Sequence, residues 1–234
     1  MVPLPKRNHL RTNNTPKTGP QRRKMLNIAR RLFWEKGYLS TSMADISKVY
    51  GCRPANIYNF FSDKEEILFE VLREEMDQII HPIQHLEEEN GLPPPEQLRL
   101  IIESHLKVTL SYRRSAKLLF DVALDNLSPE NRKKIIDLRD TYDRIIRKVI
   151  RRGIESQDWP EIDVKLAGFM IASMITRTRI WFHPKKGVSV NDLSDFIFKF
   201  ALNGLKGDGR NGGRGSFRHR RDRAEERGTS CKSS

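Results

Sequence analysis

Residues 28–68 read IARRLFWEKGYLSTSMADISKVYGCRPANIYNFFSDKEEIL and contain the most informative pattern of this chain. It starts within an amphipathic helix that the spacing of apolar residues predicts over residues 22–36. Gly37 follows where a left-handed C-terminal cap is favoured, and it therefore predicts the end of this helix. The helix can brace the shorter elements that come after it.

Two short helices are predicted next. Ser42 caps the first, over residues 43–49, and Asp45 places a carboxylate near its positive end. A tight turn at residues 50–52 leads to the second, over residues 54–61, whose first residue is a proline. Two short helices joined by a glycine-containing turn and braced by a longer helix are an arrangement that reads the DNA major groove.

A longer helix and a helical body follow. The capping box SDKE at residues 62–65 predicts the start of a long helix that Pro82 should kink or end. No later segment shows sustained two-residue alternation, so the fold class is all-α, with about nine helices in a three-helix head and a larger body. The body helices are predicted at residues 96–111, 115–124, 129–153, 164–181 and 190–205.

The net charge of +13 over 234 residues is concentrated at the two ends. Residues 1–24 hold seven basic residues and no acid, and residues 206–234 hold nine basic residues and four acids. Such ends indicate a polyanionic partner or simply solvated linkers. No segment approaches the roughly 20 apolar residues of a membrane span and no export signal is recognisable, so a cytoplasmic location is expected.

Composition divides the chain into four regions. We predict a disordered basic arm at residues 1–20, a DNA-binding domain at 21–68, a ligand-binding and dimerisation domain at 69–205, and a disordered Arg/Gly-rich tail at 206–234.

The sequence contains no recognisable metal-ligand or catalytic motif. Cys52 and Cys231 lack the spacing of a metal-ligand pair and are expected to be free thiols. His81 and His85 share a helical face but are better explained as surface histidines. No GxSxG, HExxH or P-loop occurs, so neither an enzyme, a cofactor nor a metal site is predicted.

Residues 28–51 and 55–68 resemble the TetR family of transcriptional regulators, down to the tyrosine followed by an aromatic pair and the SDKE box. The resemblance implies three head helices, a fourth connecting helix, and a variable body that dimerises through its last two helices. It also implies a set of DNA contacts, with Arg53 and Pro54 departing from the usual serine or threonine cap. These contacts are Thr41, Ser42, Arg53, Pro54, Ala55, Asn56, Tyr58, Asn59 and Lys64.

The body is more loosely similar to family members that respond to acyl-coenzyme A thioesters, through residues 112–132 and 176–189. Arg177 and Trp181 share one helical face, and a half-buried Arg needs an anion such as a thioester phosphate. The predicted ligand-binding residues are Tyr112, Phe120, Leu124, Arg177 and Trp181. The alternative is that Arg177 and Arg179 pair with Asp121, with Asp125 or with a partner subunit.

The last two helices carry more apolar residues than one neighbour can cover, which predicts a four-helix interface in a homodimer. The predicted interface residues are Ile171, Met174, Ile175, Leu193, Phe196, Ile197 and Phe200. Two heads would then meet half-sites of a near-palindromic operator.

The sequence therefore predicts a ligand-responsive DNA-binding regulator, a repressor released from its operator by a small effector such as an acyl-CoA. The alternatives are a general RNA or DNA binder acting through the Arg/Gly-rich tail and, more remotely, an all-α enzyme acting on acyl thioesters.

Overall fold

The computed structural model describes residues 19–88, 91–111, 123–183 and 187–206, and all regular structure within these ranges is helical. The all-α prediction is confirmed. The α-helices are α1 (Pro20–Lys36), α2 (Met43–Tyr50), α3 (Pro54–Ile57), α4 (Lys64–Ile80), α5 (Pro94–Ser111), α6 (Pro129–Glu155), α7 (Val164–Trp181) and α8 (Val190–Lys206), with a 3₁₀ helix at Gln84–Glu87.

Several predictions fall outside these ranges. The tail beyond residue 206, residues 1–18 of the arm and most of the helix predicted at residues 115–124 are not among the described residues. In the ranges that are described, no helix combines the length and apolarity that a membrane crossing requires.

Local capping chemistry sets where the head helices begin. The Asp45 N–H donates to Ser42 Oγ at 3.1 Å, and the Ser42 N–H donates to Asp45 Oδ2 at 2.9 Å, which is a reciprocal capping box. At α4 the cap lies one residue later than predicted, because Asp63 Oδ1 accepts from the Glu66 N–H at 2.8 Å. The Glu65 side chain, which the sequence placed in the capping box, therefore takes no part in capping α4.

The ends of α3 and α6 differ from the sequence prediction, and α1 and α5 each begin two residues earlier than predicted. The α-helical part of α3 ends at Ile57, and the chain continues to Phe60 in shorter turns, with the Phe60 N–H donating to the Ile57 carbonyl at 2.9 Å. Helix α6 was expected to end at Gly153 but continues to Glu155. Gly153 serves close packing instead, because its missing side chain makes room for the ring of Trp159.

Two hydrophobic cores share helix α4. Ile67, Leu68, Val71 and Leu72 from its first half are buried with α1, α2 and α3 in the head. Met76, Ile79 and Ile80 from its second half are buried in the body core with α5, α6, α7 and α8. The predicted domain boundary between residues 68 and 69 therefore falls inside a helix that belongs to both cores.

We expect Gly153→Ala to destabilise the protein, although alanine is normally the better helix former. An added Cβ would lie 2.0 Å from Cε3 of Trp159, a ring that is 2% exposed. Overpacking of this kind costs about 1 to 3 kcal/mol of unfolding free energy.

The matched control is the same substitution in a Trp159→Ala background, in a double-mutant cycle followed by urea unfolding. There the added methyl group should be neutral or stabilising. An equal loss in both backgrounds would mean that the ring is not what Gly153 accommodates.

Candidate nucleic-acid interface

The turn between α2 and α3 presents the second short helix to solvent. Gly51 has φ 87° and ψ 35°, a left-handed conformation that favours glycine, and its N–H donates to the Ser47 carbonyl at 2.9 Å. Ile46 and Ile57 are fully buried and anchor the two helices to the head core. The opposite side of the turn and of α3 is therefore free to face a partner.

Six of the nine predicted DNA contacts lie on this free side. The structure exposes all of them, and Tyr58, at 55% exposure, points outward rather than into the core. The six are Arg53, Pro54, Ala55, Asn56, Tyr58 and Asn59. Together they form a surface of one arginine, two amides and a phenol that we call the recognition face.

Thr41 and Ser42 stand at the start of α2 but point in different directions. Ser42 is exposed and occupied in the capping box. Thr41 is 1% exposed, and its Oγ1 donates to the Gly37 carbonyl at 2.9 Å. The structure thus gives the Thr41 hydroxyl a role in holding the loop between α1 and α2, and does not offer it to a phosphate.

Lys64 is the ninth predicted contact, and it faces the same loop. Its Nζ donates to the carbonyls of Tyr38 at 3.0 Å and Thr41 at 2.9 Å, and lies 4.3 Å from the centre of the Tyr38 ring. An ammonium has three N–H donors, so one is left after these two bonds. Lys64 therefore holds the loop between α1 and α2 in place and retains a single N–H donor for an anion.

Ion pairs that were not predicted from the sequence join α1 to α4. Arg22 bonds Glu66 at 3.1 Å and Glu70 at 3.4 Å, and Arg30 bonds Glu74. The spacing of the three acids by four residues places them on one face of α4, which was the available signal.

Glu65 links the head to the body. Its Oε1 accepts from the Ser128 N–H at 2.8 Å and from Asn131 Nδ2 at 2.9 Å, at the first turn of α6. These bonds, led by the one from the Ser128 backbone, lower the pKa of Glu65. Because a helix N-terminus carries partial positive charge, the ionised carboxylate is the form that this contact favours.

A second surface lies between α7 and α8, where large apolar side chains are exposed. Met170 is 58% exposed, Trp181 59%, Phe196 66% and Phe200 60%. They border a groove that we call the α7/α8 face. Its lining residues are Met170, Ser173, Met174, Arg177, Trp181, Leu193, Phe196, Ile197 and Phe200.

The predicted dimer residues divide between this face and the core. Met174, Leu193, Phe196, Ile197 and Phe200 line the groove. Ile171 and Ile175 are instead buried in the body core of their own subunit, at 3% and 0% exposure.

The predicted ligand-binding residues are not brought together. Arg177 and Trp181 line the exposed groove, and Arg177 is exposed rather than half-buried as expected from the sequence. Leu124 is 4% exposed in the head-side core, and Tyr112 and Phe120 lie outside the described residues.

For Arg179 the structure gives a different ion pair from those named in the alternative. Arg179 pairs with Glu75 of α4, whereas Asp125 lies 3.5 Å from Arg132, and Asp121 is not described. Across the part of the chain that the structure covers, no three His, Cys, Asp or Glu side chains form a group that could hold a metal ion.

A short helix pair with an exposed recognition face, mounted on a helical body, defines a DNA-binding regulator of the helix-turn-helix class. Family models agree with this class. Residues 25–71 match that of bacterial regulatory proteins of the tetR family, and residues 91–205 match that of the tetracyclin repressor-like C-terminal domain.

Two of the similar proteins are named as regulators. The TetR family transcriptional regulator PfmR from Thermus thermophilus is 32% identical, with a TM-score of 0.67 over 76% of this chain and 97% of that one. The fatty acid metabolism regulator protein of Bacillus subtilis strain 168 is 26% identical over 80% of this chain and 96% of its own length.

A third likeness concerns the fold alone. AibR, solved in complex with isovaleryl coenzyme A and operator DNA, is 20% identical, with a TM-score of 0.67 over 77% of this chain and 97% of that one. The chain described here belongs to the TetR family and is a DNA-binding transcriptional regulator rather than an enzyme.

We expect Glu65→Gln to lower the thermal midpoint at pH 7 by about 2 to 4 °C. The pKa of Glu65 is lowered from 4.5 in the folded protein, so its stabilisation is complete above that value and is lost as the pH falls through the folded pKa. The difference between wild type and variant should therefore close in a pH series from neutral to strongly acidic.

The control is Glu35→Gln, because Glu35 is exposed on α1 and makes no ion pair within the described ranges. It should change the midpoint little at any pH. A Glu65→Gln difference that persists under acid would show that the carboxylate charge is not what α6 recognises.

Proposed function

We propose that this protein is a homodimeric repressor that binds a near-palindromic operator through two recognition faces and leaves it when a small effector binds the body. The observation that carries the DNA part is the outward face of α3, where Arg53, Asn56, Tyr58 and Asn59 are all exposed above a buried Ile57. Arginine and asparagine are the side chains that pair bidentately with guanine and adenine edges. Repression is the action named for KstR2 of Rhodococcus jostii, which is 22% identical to this chain.

The remaining head contacts fit the phosphate backbone. Tyr58 offers a phenolic hydroxyl beside the recognition face, and Lys64 has one donor left near the start of α2. The start of α2 adds the backbone N–H groups of a helix N-terminus, which attract anions. Such contacts position the head without specifying sequence.

We propose that a second copy of the chain covers the α7/α8 face. Four large side chains on it are more than half exposed, and an apolar face of this kind marks an interface. It contains no acidic side chain among its lining residues, so an apolar four-helix contact with itself is the arrangement that fits. Arg177 and Trp181 would then contribute to the dimer rather than to an effector.

For the effector we propose an acyl-CoA thioester. The support comes from relatives alone, namely the fatty acid metabolism regulator of Bacillus subtilis and the AibR complex with isovaleryl coenzyme A. Tyr112, Phe120 and Leu124 stay predicted lining residues of that site. We also place the protein in the cytoplasm, where both DNA and thioesters are found.

Selection from a random double-stranded library with the full chain tests the function. We expect a near-palindromic site with half-sites about 34 to 36 Å apart or a multiple of that distance. Asn56→Ala should lose at least about tenfold in operator affinity, since each of the two half-sites loses a bidentate base contact worth about 1 to 3 kcal/mol, with non-specific binding unchanged. Asn191→Ala, an exposed amide at the start of α8, is the control.

The effector arm uses the selected operator with isovaleryl-CoA, palmitoyl-CoA and free coenzyme A. A thioester should weaken binding by about 5- to 150-fold while coenzyme A does not. No enriched site would refute the DNA function, whereas an operator insensitive to both thioesters would refute the effector class alone.

We expect Phe196→Glu to halve the sedimenting mass from twice 27.3 kDa to 27.3 kDa, because a carboxylate would be buried in an apolar interface. Sedimentation equilibrium measures this. Leu39→Glu, at a position 80% exposed in the head, is the control and should remain dimeric. A dimeric Phe196→Glu variant would place the interface elsewhere.

A further inference from the structure

A buried ion pair joins the body to the connecting helix. Arg179 Nη2 on α7 bonds Glu75 Oε1 on α4, and the side chains are only 13% and 7% exposed. Buried charged pairs depend on geometry, because either charge without its partner would be left poorly solvated. The contact therefore holds α4 at one register against α7.

The same guanidinium reaches the head. Its Cζ lies 5.9 Å from the ring of Trp34, a residue of α1 that is 6% exposed. Arg179 thus contacts the connecting helix and the helix that braces the recognition face, while belonging itself to the body.

The neighbouring side chains of His105 and Tyr142 do not compete with Glu75 for Arg179, because both are uncharged. His105 on α5 is held neutral, since burial and the nearby Arg179 lower its pKa to about 3. Its Nδ1 is within 2.9 Å of the Tyr142 hydroxyl on α6, whose pKa is raised by burial and by Asp143. Glu75 is thus the carboxylate that bonds Arg179, while Asp143 acts on Tyr142.

Helix α7 faces α4 and α1 on one side and the exposed α7/α8 face on the other. Arg177 and Trp181 turn to the exposed α7/α8 face, while Thr178 is fully buried and Arg179 points to α4 and α1. If a second copy covers that face, α7 is the element between the dimer contact and the head contact. Arg179 is then one of the side chains, together with Glu65, through which the body sets the orientation of each head relative to the dimer axis.

We propose that Arg179 and Glu75 are positioning residues for operator recognition: their ion pair sets the angle of each head to the dimer axis and thereby the half-site spacing that the protein accepts. This inference rests on the proposed function. The planar guanidinium suits the role because it can bond a carboxylate and lie over an aromatic ring at once.

The test compares two double variants with identical substitutions, Glu75→Leu/Arg179→Met and Glu87→Leu/Arg144→Met. The control pair, Arg144 Nε to Glu87 Oε1 at 2.7 Å, lies on the body and is more exposed. Replacing a buried pair by apolar residues of similar volume is often tolerated by the fold. Circular dichroism and thermal unfolding establish that both variants are folded.

Fluorescence anisotropy then measures affinity for the selected operator and for versions with one or two base pairs inserted or removed between the half-sites. Wild type and control should prefer the selected spacing by about tenfold or more, a typical coupling magnitude. Glu75→Leu/Arg179→Met should keep its affinity for an isolated half-site and lose most of that preference.

Retention of the full spacing preference by Glu75→Leu/Arg179→Met would overturn the inference. If this variant does not fold, the spacing preference of Arg179→Lys is measured instead, because lysine keeps the charge but loses the planar geometry of the guanidinium. A reduced preference supports the proposal, and an unchanged one refutes it. Failure of wild type to select any operator is a separate result and would refute the proposed function instead.

Discussion

Helix α4 is buried along its whole length, by the head at one end and by the body at the other, and this shared burial determines how the two parts are joined. Its first half completes the core of the head, with Ile67, Leu68, Val71 and Leu72 inside, and its second half completes the core of the body through Met76, Ile79 and Ile80. A helix shared in this way cannot move without disturbing both cores. The head that carries the recognition face is therefore joined to the body by a rigid helix rather than by a flexible linker.

The polar side chains of α4 then determine how this helix is oriented relative to its neighbours. Lys64 bonds the loop before α2, and Glu65 bonds the first turn of α6. Glu66, Glu70 and Glu74 pair with arginines of α1. Glu75 pairs with Arg179 of α7. These contacts reach several different elements, so a change in the body alters the balance of forces on a single helix. This is a physical basis for communication between an effector and DNA.

The sequence predicted well what local chemistry controls. Caps such as Ser42 with Asp45 and turns such as Gly51 involve neighbours in the chain, so the positions of α1 and α2 followed from pattern. The outward side of Asn56 and Asn59 also followed, because helical spacing predicts that Ile57 and Phe60 face the brace. The structure buries Ile57 but buries Phe61 more deeply than Phe60. The outward position of Tyr58 did not follow from spacing, since a tyrosine there would by itself be expected in the core. The resemblance over residues 28–68 added which of those residues face DNA in related proteins.

Long-range geometry could not be predicted in the same way. Helix α7 is apolar on two sides, and periodicity alone does not say that Ile171 and Ile175 face the core while Met170 and Trp181 face outward. Nor does local spacing reveal that Arg179 meets Glu75, a residue 104 positions earlier. Lys64 looked like a free phosphate contact because its two carbonyl partners lie more than 20 residues upstream.

The central claim, that two heads are held rigidly on one dimer, is tested most directly by a distance between heads. Spin labels at Leu39→Cys, a position 80% exposed, in a Cys52→Ser/Cys231→Ser background would report it by pulsed dipolar spectroscopy. We expect one narrow distance distribution in the effector-free protein that persists on operator DNA. A broad distribution without DNA, or no dipolar coupling at all, would contradict it.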